Sequence, residues 1–431
     1  MPTIAVSEAA KHIGKDVTFK GWLYNRRSSG KLLFLQVRDG TGVIQAVLAK
    51  SDDEVLFEQA DGLSRESSVI VHGTVREDSR APSGCEMQLT GLEVVQQPTQ
   101  DFPIELKEQT PGFLMENRHL WIRTGSQVPI LRVRDAVFRA FRRFFEERGF
   151  IATEAPILTG TSVEGTTTLF EIDYFGDPAY LGQSGQLYLE ATSAALGKTY
   201  WIGPAFRAEK SKTRKHVTEF WIAEAEMSYV EHDGNLALQE DLVRFIVEMV
   251  ADERTAELAQ LERDVDLLLG EVREPFARID YAEAIKLLSE KGHEISFGDD
   301  FGAPQEETLS EIFGKPLFIE RMPASMKPFY MKRDPADRER VLAADLIAPE
   351  GYGEIIGGSQ RVDTVEELTA QLAEYNLPAE AYEWYIDLRR YGAVPHSGFG
   401  MGLARVIQWI CGVKHIREVI PFPRMINRLY P

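Results

Sequence analysis

The spacing of apolar positions along this chain changes several times, and each change marks a different kind of element. Between residues 17 and 95 the runs "VTFKGWLY", "LLFLQVRDG", "GVIQAVLA", "SVIVHGTVRE" and "CEMQLTGLEVV" are short, β-prone and separated by Gly, Ser and Asp clusters. Five strands so closely spaced predict a small closed barrel of the OB type, whose strand face and loops bind single-stranded nucleic acid; a ligand-free β domain fits the same pattern. The stretch "QQPTQDFPIELKEQTPG" then loses periodicity and is rich in proline, as a linker is. Helical spacing follows: Val133, Ala136, Val137, Ala140, Phe141, Phe144 and Phe145 recur at i, i+3, i+4 and i+7, and Gly149 ends the helix. "FIATEAPILT" reads as a strand with Pro156 at an edge or interface. Strands and turns are expected from there to residue 230, mainly helices over 235–290, a strand at "GEIIGGSQRV", a helix near 364–390, and a strand entering a helix at "HSGFGMGLARVIQWICGV".

Composition narrows the class. Apolar residues make up 44% and charged residues 27%, which suits a folded protein and not a disordered one. Acidic residues outnumber basic ones 67 to 48, for a net charge of −19, yet residues 1–98 are almost neutral. An acidic body argues against a general nucleic-acid binder with a basic surface, but leaves room for local basic patches. The start, "MPTIAVSEAAKHIGKD", has no basic region followed by a long apolar stretch, so no secretory signal is expected. No apolar run is long enough for a membrane span. The two cysteines, Cys85 and Cys411, are far apart and form no CxxC, so a reducing cytoplasm is expected.

Against this acidic background, "FRAEKSKTRKHVTEFW" gathers Arg207, Lys210, Lys212, Arg214 and Lys215. "YWIGPAFRAEK" and "HVTEFWIAEAEMSYV" read as the two strands of a hairpin around that loop. Arg207 and Glu209 are expected on one face of the first strand, with Glu224 and Glu226 in the second. Such a loop can be plain solvated surface, but acids and cations along half-buried strands suggest a cleft for a polyanion. In "GFGMGLARV" the glycines let backbone approach a ligand closely, and Arg405 falls on the first turn of a helix, where phosphate is attracted. This is not the dinucleotide fingerprint, because the spacing differs. In "DLIAPEGYGEIIGGSQR", Asp345 and Glu354 could hold a hard divalent cation, and Arg361 could pair with a substrate oxygen.

These blocks, in this order and with "FIATEAPIL" in place of a first motif, resemble the class II aminoacyl-tRNA synthetases. "GWLYNRR…FLQVRDGTGVIQAV" is similar to the anticodon-binding barrel of the aspartyl/asparaginyl/lysyl subgroup, and "LMENRHLWIR" to the junction that follows. "VEGTTTLF", "QSGQLYLE", "EFWIAEAEMSY", "GEIIGGSQR" and "VPHSGFGMGLAR" are similar to the asparaginyl branch. An aspartyl enzyme would show QSPQ and then a lysine, where Leu189 stands, and an Asp in place of Glu224.

The resemblance implies an α+β architecture: an anticodon-binding barrel at 1–98, a linker or hinge at 99–130, and a catalytic domain at 131–431 on an antiparallel sheet flanked by helices. It implies a homodimer, formed through the 133–145 helix face and the Pro156 strand. The implied reaction activates L-asparagine with ATP and Mg²⁺, then transfers it to tRNA(Asn). Arg207 would hold the α-phosphate and the substrate carboxylate, with Arg207, Arg405 and Glu354 as the catalytic set. Glu209 would bind the adenine edge, Phe220 would stack on adenine, His216 and Arg405 would grip the γ-phosphate, and Gly402 would border the ATP. Asp345 and Glu354 would carry Mg²⁺. Glu164, Ser184 and Gln186 would take the α-amino group, Glu224 and Arg361 the side-chain end, and Phe34 and Gln45 the anticodon bases. Two positions depart from the family pattern: Ala404 replaces an acid before Arg405, and Gly357 stands where aspartyl relatives carry Ser. Rival readings are a relaxed aspartyl enzyme, a paralogue that makes free asparagine, and a catalytically inert RNA-binding regulator.

Overall fold

The computed structural model describes residues 1–81, 83–163, 169–210 and 213–431, so Glu164 and Lys212 lie outside the described residues. The chain divides into two compact units, Met1–Asn117 and Arg118–Pro431.

In the first unit, five strands close into a barrel: β1 (Asp16–Ser29), β2 (Leu32–Arg38), β3 (Val43–Ala49), β4 (Ser68–Glu77) and β5 (Cys85–Gln96). Their order is β1-β2-β3-β5-β4, and only β3 and β5 pair in parallel. Alternation decides which side chains fill it. Along β2, Leu33, Leu35 and Val37 are fully buried inside while Phe34 and Gln36 face outward. The helix Glu54–Asp61 follows β3, its first turn capped by Asp53, which accepts from the Leu56 N–H at 2.9 Å.

The second unit contributes β6 (Ile151–Ala152), β7 (Leu158–Thr159), β8 (Glu171–Tyr174), β9 (Asp177–Leu181), β10 (Lys198–Phe206), β11 (Glu219–Ser228), β12 (Ala277–Asp280), β13 (Leu317–Glu320), β14 (Ala343–Ala348), β15 (Gly353–Gln360) and β16 (His396–Gly402). Eight of them form one sheet in the order β12-β13-β14-β15-β16-β11-β10-β6. All neighbours are antiparallel except the outermost pairs, β12/β13 and β6/β10. A side sheet runs β7-β9-β8.

The helix Val128–Glu146 buries every apolar position that its spacing marked, against the helix His232–Glu253 and the back of the sheet. Phe145 lies face to face with Tyr200 at 5.3 Å and edge-on to Phe150 at 4.6 Å. Each fully buried phenylalanine contributes roughly 1.5–3 kcal/mol. Because the face is used up inside its own unit, it is not available for pairing subunits.

Three local expectations change. "FIATEAPILT" is broken into β6 and β7 with Pro156 exposed between them, since proline gives no N–H to a ladder. "QLYLEATSAAL", within the region expected to hold only strands and turns, is the helix Gln186–Leu196. Leu187 and Leu189 mimic strand alternation, whereas the true buried face includes Gln186, Glu190 and Ser193, polar residues that no hydropathy pattern flags. The 364–390 helix is two, Val365–Glu374 and Glu383–Arg390, parted at Pro378.

Candidate active site

The open face of the sheet carries a cavity of about 290 Å³ over β11, β14, β15 and β16. On β11, Ala223, Ala225 and Met227 enter the core, so the alternate residues Phe220, Ile222 and Glu224 line the cavity, and Glu226, on the same face, is buried against Arg361. Arg207, Glu209, His216, Phe220, Glu354, Gly402 and Arg405 all line one end of the cavity or its floor. Strand β10 stops at Phe206, so Arg207 and Glu209 follow the strand rather than lying in it; the Arg207 N–H still donates to the Thr218 carbonyl at 3.0 Å. The Arg207 guanidinium sits 5.5 Å from the Phe220 ring centre. Gly402 caps the helix Leu403–Cys411, and Arg405 on its first turn donates to the Glu354 carbonyl oxygen at 2.6 Å. His216 lies 3.9 Å from Glu209; burial, then Arg405, push its pKa down. Of the loop cations, Lys215 is tied to Glu306 at 2.9 Å and is half-buried rather than a freely solvated charge.

At the other end, Glu224 is 3% exposed and accepts from the Ser184 hydroxyl and, at 2.7 Å, from the Gly185 N–H. Burial pushes its carboxyl up to about 7 despite these donors. Two residues on, Glu226 is gripped by Arg361 through bonds of 2.5 and 3.3 Å, and Arg361 also donates to the Ser359 hydroxyl at 2.7 Å. β16 makes room for this pair: a Cβ on Gly398 would lie 2.1 Å from Glu226 Oε1. Leu189 does not line the cavity; it packs with Trp201 and Ile222 behind the wall.

Asp345 on β14 pairs across the ladder with Gly357 on β15. A Cβ on Gly357 would lie 3.1 Å from Glu354 Oε1 and 3.6 Å from Asp345 Oδ1, so the missing side chain opens the space between the two acids. Burial, partly offset by Lys327, and then Glu354 push the Asp345 carboxyl up to about 6. Lys327 and Arg405 lie beside these acids at 2.7 and 3.6 Å, yet the two carboxylates remain hard oxygen donors facing one space, of the kind that suits a divalent cation. Among the described residues no group of three or more His, Cys, Asp or Glu could hold a metal, so a cation here would draw further oxygen ligands from outside that set.

Sequence reasoning missed Lys327, whose Nζ donates to Asp345 at 2.7 Å, and Tyr330, whose ring lies 5.2 Å from the Arg361 guanidinium. The only signal was a lysine set among Met326, Pro328, Phe329 and Tyr330. Gln186, at the start of the helix Gln186–Leu196, also lines the cavity, and the last two candidates belong to the barrel. Phe34 lies on its outer face under the Arg27 guanidinium at 4.8 Å. Gln45, 6% exposed, donates to Glu86 at 3.3 Å and accepts from Arg27 at 3.4 Å.

Known proteins align with this arrangement from end to end. Residues 111–426 match the family model for class II tRNA synthetases (D, K and N), and residues 17–95 the OB-fold nucleic acid binding domain. The chain is 54% identical to the asparagine–tRNA ligase of Pelotomaculum thermopropionicum over the full length of both. The crystal structure of asparaginyl-tRNA synthetase from Pyrococcus horikoshii complexed with asparaginyl-adenylate superposes with a TM-score of 0.95 at 44% identity, covering 99% of each chain. An aspartyl tRNA synthetase from Entamoeba histolytica also superposes, with a TM-score of 0.85 but only 26% identity, over 100% of this chain and 93% of its own. The chain therefore belongs to the class II tRNA synthetases of the D, K and N group, and within that group to the asparaginyl branch.

Proposed function

We propose that this chain joins L-asparagine to tRNA(Asn) in two steps, activation by ATP and transfer to the terminal ribose of the tRNA. The observation that carries the reading is a single cavity bearing Arg207 and Arg405 at one end and the buried Glu224 and Arg361 at the other. An asparagine carboxylate oxygen attacks the α-phosphorus, the bond to the bridging oxygen breaks, and pyrophosphate leaves. A ribose hydroxyl of tRNA then attacks the adenylate carbonyl and AMP leaves. No protein nucleophile is required. Arg207 orients the carboxylate and α-phosphate, Arg405 and His216 hold the γ-phosphate, and Gly402 leaves the helix N-terminus open to the nucleotide. Phe220 offers its ring to adenine, and Glu209 takes the adenine edge. Catalysis is positioning plus neutralisation of charge that grows on phosphate oxygens. Asp345 and Glu354 would hold Mg²⁺, which supplies further neutralisation when bound.

Ser184 and Gln186 meet the α-ammonium end. Arg361 donates to the side-chain oxygen of either asparagine or aspartate, so it does not distinguish them. Glu224 does: ionised, it accepts from the amide of asparagine and repels the carboxylate of aspartate. On the barrel, Phe34 and Gln45 read anticodon bases. Subunit pairing uses the flank of Pro156, where Ile151, Ile157 and Leu158 are each more than 40% exposed. No helix among the described residues is long and apolar enough to cross a membrane. The two free, buried cysteines, Cys85 and Cys411, support the reading of a reducing cytoplasm.

ATP–pyrophosphate exchange with asparagine and aspartate in turn tests the reading. Exchange that depends on asparagine is expected. Exchange with aspartate alone would return the aspartyl alternative, and exchange with neither would leave an RNA-binding module.

A further inference from the structure

Gln186 opens the helix Gln186–Leu196 and Glu190 lies four residues on, so the two share a face. Gln186 Nε2 donates to Glu190 Oε1 at 3.1 Å. Glu190 itself is 2% exposed and does not line the cavity. Its oxygens are fully engaged from behind: the Tyr385 hydroxyl reaches them at 2.7 and 2.9 Å, Arg389 Nη2 donates at 2.6 Å, and His396 Nε2 lies at 3.0 Å. Arg389 is fixed in turn by donating from Nε to the Val362 carbonyl at 2.8 Å. Burial opposes ionisation of Glu190, but Arg389 and then His396 hold it well below the usual carboxylate range. It is an anion and can only accept.

A glutamine amide is ambiguous. Its two ends have nearly the same shape, yet one accepts and the other donates. An anion beside it removes the ambiguity, because only the NH₂ end can face a carboxylate. The oxygen is then left for the cavity. Ser184 cannot take over this task alone, since its hydroxyl already donates to Glu224 and accepts from the Gln186 N–H at 3.0 Å.

We propose that Glu190 is a positioning residue that locks the Gln186 amide with its oxygen toward the α-ammonium of the amino-acid substrate. The proposal rests on the reading that Gln186 lies against that ammonium. A flipped amide would set NH₂ against the ammonium and an oxygen against Glu190, two repulsions at once. Glu190 touches no substrate atom; it acts through one side chain, on one substrate group.

That restriction supplies the test, run on the full-length enzyme by pyrophosphate exchange. Glu190→Gln is expected to raise the KM for asparagine by about tenfold and to change the KM for ATP and kcat by less than about twofold. The Ki of succinamic acid, which is asparagine without its amino group, should not move. Gln186→Met should also raise the asparagine KM, and adding Glu190→Gln to it should contribute nothing more. Should Glu190→Gln fail to fold, Glu190→Gln with Arg389→Met takes its place with the same expectations, because it leaves no unpaired buried cation. An equal rise in the ATP KM, a shifted Ki for succinamic acid, or a full Glu190→Gln effect in the Gln186→Met background would overturn the proposal. An unchanged asparagine KM in Gln186→Met would instead remove Gln186 from the ammonium, and the proposal would fall with that reading.

Discussion

On the barrel, Phe34 and Arg27 stand on the outer side of strands whose inner side is a complete apolar core. In the second unit, Glu224, Glu226 and Arg361 are only 3%, 1% and 2% exposed, and each answers the charge or donors of a neighbour. The outer face can be altered without opening anything. In the cleft, the interactions that would select a substrate are also the ones that keep buried charges tolerable, so binding and stability are not separable there.

The comparison can be broken most forcefully at the phosphate end. Arg207→Ala or Arg405→Ala should each cut asparagine-dependent pyrophosphate exchange by about 10² or more, as loss of a charge partner to the transition state does. Near-normal exchange in either folded variant would take that residue out of the phosphate site.

Glu224 sharpens it next. Glu224→Gln should lower the ratio of kcat/KM for asparagine over aspartate by about tenfold or more. In the wild type the ratio should rise as pH passes through about 7, where Glu224 loses its proton, and it should be flat in the variant. Stability runs the opposite way with pH. A carboxyl raised from 4.5 to about 7 by folding contributes fully below 4.5 and loses that contribution as pH rises through 7. The Tm of Glu224→Gln should therefore gain on the wild type between pH 5 and pH 8; a constant difference would mean that Glu224 does not titrate there.

The barrel should respond differently. Phe34→Ala is expected to weaken tRNA binding by about 1–2 kcal/mol while Tm and pyrophosphate exchange stay put. A lower Tm with unchanged tRNA affinity would make the ring a structural contact after all. The smallest effect is expected at Gly357→Ser. Its Cβ has only a 3.1 Å contact with Glu354 to relieve, and its hydroxyl would join two existing acids. Stability should hold, and the Mg²⁺ concentration for half-maximal exchange should shift by about twofold or less.

Period was the most legible feature of the sequence. The barrel strands and all seven marked positions of the phenylalanine helix are where alternation and helical spacing put them. What period could not show was polar burial. The helix Gln186–Leu196 hides Gln186, Glu190 and Ser193 on its inner face, and its Leu-Tyr-Leu start looks like a strand. Cavity-lining residues were readable where they sat beside glycine or in a charge cluster, as Arg207, Glu354 and Arg405 do. Lys327 and Tyr330 reach the cavity from a segment with no periodic signal, and Glu190 becomes visible only once Tyr385, Arg389 and His396 close on it from distant parts of the chain.

The close approach at Gly398 also bears on how such a protein can change over generations. Alanine, the smallest replacement available, would push its methyl group into the Glu226 carboxylate and crowd the Ala225 carbonyl oxygen at 2.4 Å. The position thus has no near neighbour among the amino acids, and a single-step mutational path through it is closed. A lineage drifting toward a different amino-acid substrate would have to remodel the walls, at places such as Ile222 or Leu189 behind it, while inheriting the floor unchanged.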